Sequence, residues 1–74
     1  MSYLPRVSGR AVVQALGKLG YYLDCQRGSP MVLRHADPPH RRLTVPDHPE
    51  IASGTLRAII RQAGLTVEEF KNFL

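Results

Sequence analysis

Three histidines, His35, His40 and His48, are the side chains of this chain best suited to moving a proton near neutral pH. An unperturbed imidazole titrates at about pH 6.5. The three share no common spacing, and one cysteine, Cys25, adds no second thiolate, so no metal site is expected. Cys25 fits a small apolar filler on a strand better than a nucleophile. The cationic complement is mostly arginine: eight of the ten Lys+Arg residues. A guanidinium fork matches two oxygens of a phosphate at once. Imidazoles that hold or release protons, beside cations that stabilise charge on phosphorus, are the equipment for breaking a phosphodiester.

The arginines fall in two groups. Arg27, Arg34, Arg41 and Arg42 lie on or beside strand-like segments. Arg57 and Arg61 are four apart in a helical pattern and share its exposed side. With Lys18 they could line one phosphate-binding surface, or they could be a solvated basic face. The turn Gln26-Arg27-Gly28-Ser29-Pro30 joins two of the strand-like segments. Ser29 could bond a phosphate oxygen or simply make the turn. Pro30 has no ionisable group and no N–H, but its fixed φ is tolerated at the first residue of a strand.

The elements that must position these groups are legible from periodicity and punctuation. Ser8 is a good N-cap for a first helix whose Val12, Val13, Leu16 and Leu19 share a face. Gly20 ends it. A strand is expected over Tyr21–Arg27, with Tyr21, Leu23 and Cys25 alternating with Tyr22, Asp24 and Gln26. A second runs over Met31–His35, with Met31, Leu33 and His35 facing away from Val32, Arg34 and position 30. His35 is thus expected to be a partly buried structural residue. Pro38 and Pro39 make 36–40 irregular, and His40 a solvated loop residue. A third strand covers Arg41–Val45, and Pro46 and Pro49 bracket a loop. A second helix starts near Ser53 or Gly54, buries Leu56, Ile59, Ile60 and Ala63, and closes at Gly64. Thr66 and Glu69 form a capping box opening a short last helix with Phe70, Phe73 and Leu74. The order implies an α+β fold, helices on one face of a three-stranded antiparallel sheet.

Composition bounds the rest. A chain of 74 residues is expected to be one domain over 1–74 with a thin core. Its 43% hydrophobic content argues against disorder. The net charge of +4 and pI near 9.8 suit a polyanion or an acidic protein as partner, or simply a basic soluble surface. No apolar run reaches a membrane span and no signal-peptide pattern is present, so a cytoplasmic location and no membrane partner are expected.

In order along the chain, Leu4-Pro5, Ser8-Gly9-Arg10, Leu19-Gly20-Tyr21, Gln26-Arg27-Gly28-Ser29, Leu33-Arg34-His35 and Leu43-Thr44-Val45-Pro46-Asp47-His48 precede the run from Gly54 to Phe70. This arrangement resembles the HicA (YcfA-like) family of small toxins, most specifically in the C-terminal run. The resemblance implies a double-stranded-RNA-binding-like fold, metal-free cleavage of mRNA without a cofactor, and a HicB-type antitoxin as partner in a type II toxin–antitoxin pair. It implies a catalytic histidine at position 30, where this chain has Pro30. The protein could be a degenerate, non-cleaving member, another residue could have taken over, or the position could have been altered to make a toxic protein producible. Ser29 and His48 are the remaining catalytic candidates by resemblance, His48 matching a histidine in the family's Val-Pro-x-His stretch; it could equally orient its loop. Arg27, Gly28, Arg34, Arg41, Arg42, Arg57 and Arg61 are the RNA-binding candidates. The rival readings are a non-catalytic RNA-binding or antitoxin-binding module, and a small DNA-binding domain.

Overall fold

The computed structural model describes residues 4–26 and 30–74. The turn residues Arg27, Gly28 and Ser29 lie outside them. The first helix, α1, spans Gly9–Gly17 and is opened by Ser8, whose hydroxyl accepts from the Ala11 N–H at 3.1 Å. It buries Val12, Ala15 and Leu16, with Val13 and Leu19 packed against the margin. Gly20, at φ 100°, turns the chain into the sheet in a conformation that a Cβ would oppose.

Strands β1 (Tyr21–Gln26), β2 (Met31–His35) and β3 (Arg42–Val45) form an antiparallel meander in the order β1-β2-β3. Side-chain alternation divides the sheet into two faces. Met31, Leu33, Leu43 and Val45 are buried under the helices, while Arg42 and Thr44 are exposed on the opposite face. The expected alternation in β1 does not run its full length. The register shifts between Leu23 and Cys25, leaving Asp24 in a bulge. Leu23, which shares a face with buried Tyr21, is 45% exposed. β3 starts one residue later than expected, at Arg42, although the Arg41 carbonyl still accepts from the His35 N–H at 2.8 Å.

α2 (Ser53–Gln62) buries Leu56, Ile59 and Ile60, and α3 (Val67–Lys71) buries Phe70 completely. α3 is short, and its start is held by the expected capping box. The Glu69 N–H donates to Thr66 Oγ1 at 3.1 Å, and the Thr66 N–H donates to Glu69 Oε1 at 2.9 Å. The result is an α+β fold, helix, three strands, then two helices, as the periodicity implies.

The loop after β3 is stitched to the entrance of α1. The Gly9 N–H donates to the His48 carbonyl and the Ile51 N–H to the Val7 carbonyl, each at 2.9 Å. A Cβ built on Gly9 would collide with the Pro46 carbonyl oxygen, whereas one on Gly17 meets nothing. Gly9→Ala should therefore destabilise the fold by about 1–3 kcal/mol, while Gly17→Ala should stabilise it by up to about 1 kcal/mol. Thermal melts of the two variants check the opposite signs.

Candidate functional site

Pro30 is exposed and immediately precedes β2. By alternation with buried Met31 it belongs to the side of Val32 and Arg34, the open face of the sheet. It carries no group that could take or give a proton. Of the turn, Arg27, Gly28 and Ser29 lie outside the described residues, between Gln26 at the end of β1 and Pro30.

The cross-strand register aligns Tyr22 with Arg34 and Arg34 with Arg42, one residue from each strand. Arg34 Nε lies 3.8 Å from Asp24 Oδ2, within ion-pair range but beyond a hydrogen bond. That Nε is shielded from solvent and has no hydrogen-bond partner. Asp24 is two residues from Tyr22, the residue aligned with Arg34, and it lies at the bulge opposite β2. Arg42 is exposed on the same face, with Thr44 two residues on.

Arg41, the preceding residue, belongs to the other side. Its Nη1 donates to the Gln62 carbonyl at 3.3 Å and so satisfies the C-terminal end of α2. Arg57 and Arg61 are exposed on a flank of α2, where they line a shallow depression of about 200 Å³ with Ile60, Leu65 and Thr66. Lys18 Nζ donates to the Phe73 carbonyl at 3.0 Å. Among the described residues the basic side chains fall on two layers. Arg34 and Arg42 lie on the open sheet face; Arg41, Arg57 and Arg61 belong to the helix layer.

The histidines differ in their surroundings. His35 is half-buried, edge-on to Tyr21, with ring centroids 4.7 Å apart at 81°. Its Nδ1 accepts from the Asp37 N–H at 3.0 Å, and its Nε2 lies 2.8 Å from the Leu19 carbonyl. A backbone donor on one nitrogen and a carbonyl on the other assign the neutral Nε2–H tautomer. Both nitrogens are engaged, so His35 ties β2 to the end of α1, as alternation implied. It also lines a cavity of about 270 Å³ with Leu19, Tyr21, Pro38, Arg41 and Leu65. His40 is exposed at φ 58°, its Nδ1 3.1 Å from the His35 carbonyl. His48 is exposed; it is its backbone carbonyl that receives the Gly9 N–H. Asp47, one residue earlier, pairs with Arg10 at 3.4 Å. Among the described residues no group of three or more His, Cys, Asp or Glu could hold a metal, and no helix is long and apolar enough to cross a membrane.

Two residues that matter to this face, Tyr22 and Asp24, do not stand out in the sequence. Alternation alone puts Tyr22 opposite Tyr21, but its alignment with Arg34 and Arg42 depends on strand register. Asp24 shares the face of Tyr22 by alternation, but its approach to Arg34 depends on how β1 and β2 pair.

A family model described as the HicA toxin of bacterial toxin–antitoxin matches residues 9–65, from the start of α1 to just past α2. No curated protein matches the chain. The matched span includes position 30, the open-face arginines and His48.

The histidine geometry separates a structural role from an exposed one. His35→Ala removes two hydrogen bonds and a ring contact, and should lower stability by about 2 kcal/mol. His48→Ala keeps the carbonyl that the fold uses and should stay within about 0.5 kcal/mol of the unaltered chain. Urea unfolding midpoints measure both.

Proposed function

Because the chain belongs to the HicA toxin family, we propose that this toxin of a toxin–antitoxin pair acts on mRNA, needs no metal or other cofactor, and is held in check by a HicB-type antitoxin. The proposal takes residues 1–74 as one domain with the double-stranded-RNA-binding type of fold, acting in the cytoplasm. Its main support is the family match across position 30 together with the basic balance of the chain, ten Lys+Arg against six Asp+Glu. Phosphate contacts made by arginines would supply most of the affinity, and RNA shape rather than base identity would guide it.

The chemistry is a transesterification. A base takes the proton from a 2′-OH, the 2′ oxygen attacks phosphorus, the bond to the 5′ oxygen breaks, and an acid returns a proton to that oxygen. Cationic groups stabilise the charge that builds on the phosphoryl oxygens. Pro30 can perform neither proton transfer, so cleavage by this chain is impaired. Ser29 stands beside position 30 in the sequence and could hold a phosphate oxygen. His48, an exposed imidazole, is the candidate to carry a residual reaction. Pro30 also favours the second reading, a module that binds RNA or its antitoxin without cutting.

Two experiments test this. With a long mRNA and a chelator present, Pro30→His should cleave at least about 100-fold faster than the unaltered chain, the size of a single acid–base contribution. Equal and vigorous cleavage by both would place the chemistry elsewhere, and His48→Ala would then be the variant that loses it. In a competition assay, saturating HicB-type antitoxin should displace RNA, because the partner that neutralises the toxin must cover the surface RNA uses. Acidic character in that partner would speed its association at low salt. Unchanged RNA binding in the presence of the partner would remove either the toxin–antitoxin mechanism or the shared surface.

A further inference from the structure

We propose that Tyr22, Arg34 and Arg42 form a subsite for single-stranded RNA on the open face of the sheet, with Tyr22 stacking one base and the two arginines holding adjoining phosphates. This rests on the reading above that the chain binds RNA and that position 30 marks the point of cleavage. The three residues are paired across β1, β2 and β3 in one row. With neighbouring strands about 4.8 Å apart, the row spans roughly 10 Å. Tyr22 is 46% exposed, while its neighbour Tyr21 is buried against the helices. An exposed ring at the β1 end of the row, with two guanidinium groups in line on β2 and β3, offers a stacking platform and the charge to retain the backbone beside it.

The position of the row gives it a role. Position 30 and Arg34 are four residues apart and on the same side by alternation, which is about 13 Å along an extended strand. RNA following β2 would therefore cross the row within a few nucleotides of the residue that replaces the family histidine. Asp24 tempers the row. Its carboxylate sits 3.8 Å from Arg34 Nε without a hydrogen bond, so it orients the guanidinium while leaving the terminal nitrogens available for a phosphate. The row also sets a preference. A duplex keeps its bases stacked inside, so Tyr22 would find no base face to cover, whereas an unpaired strand can splay a base onto it. An acidic protein could use the arginines but would gain nothing from the stacking surface.

The test uses the whole chain and a labelled single-stranded RNA of about 12 nucleotides, free or annealed to its complement. The single strand should bind at least tenfold tighter than the duplex. Tyr22→Ala should lose about tenfold in affinity for the single strand and nothing for the duplex, while Tyr22→Phe, which keeps the ring, should bind normally. Arg42→Gln should lower the salt slope of binding by about one. The chain has no tryptophan, so Tyr22→Trp supplies a single indole whose fluorescence should be quenched by the single strand only. That readout stands even if Tyr22→Ala folds poorly. Salt-sensitive RNA binding that ignores Tyr22→Ala, prefers duplex, or leaves the indole unquenched overturns the subsite but not the RNA reading. Loss of antitoxin binding by Tyr22→Ala with RNA binding intact would assign the face to the protein partner, and also overturns it. A chain that binds neither form of RNA removes the functional reading itself.

Discussion

The close approach of Gly9 to the carbonyl of Pro46 is the contact on which the layering depends. It lets the first turn of α1 lie directly on the chain leaving β3, where any side chain would hold the two apart. The Gly9 N–H then reaches the His48 carbonyl, and the Ile51 N–H reaches the Val7 carbonyl. Those two bonds satisfy backbone groups that would otherwise be lost at a helix start and in a loop. They also fix where α2 begins relative to α1. Buried Ile51 joins the core at this seam, between Val45 of the sheet and Leu56 of α2.

From that seam the layout of the two sheet faces follows by geometry. The fold measures 33 × 26 × 17 Å, with one face of the sheet buried under the helices and the other open. Alternation then sorts the basic groups. Arg41 and Arg42 are adjacent in sequence, yet one satisfies a carbonyl at the end of α2 and the other stands on the open face. His35 is likewise committed to the fold through both ring nitrogens, one meeting the Leu19 carbonyl and the other the Asp37 N–H. In this HicA-family toxin the proposed RNA face and the proposed reacting position are thus separable. The first would be built by strand register; the second is a single side chain, Pro30.

Much of the fold was legible in the chain. Ser8 and Gly64 marked helix ends through capping and positive φ, whereas α1 stops at Gly17, three residues before Gly20, and a turn leads to that glycine; Thr66 with Glu69 formed the capping box because both partners lie within one helical turn. The 3.6-residue period singled out Val12, Leu16, Leu56, Ile59 and Ile60, and the period of two singled out Met31, Leu33, Leu43 and Val45, all buried. These signals are local, so sequence carries them. The site was legible only as residue types: arginines suited to phosphate, and a proline where the family resemblance implies a histidine.

What tertiary structure decided is whatever depends on register and on chain segments far apart in sequence. The bulge at Asp24 broke the alternation of β1, and the pairing of β1 with β2 set a carboxylate 3.8 Å from Arg34. The pairing of β1 with β2 and of β2 with β3 placed Tyr22, Arg34 and Arg42 in one row. Arg41 was claimed by Gln62, twenty-one positions away, and Lys18 by the Phe73 carbonyl, fifty-five away. Sequence by itself determined which residues could hold phosphate and which faces would be apolar, because those properties belong to side chains and to short periods. Which cations share a face was settled only when the strands paired and the helices docked, because a shift of one residue in register moves every side chain to the other side of the sheet.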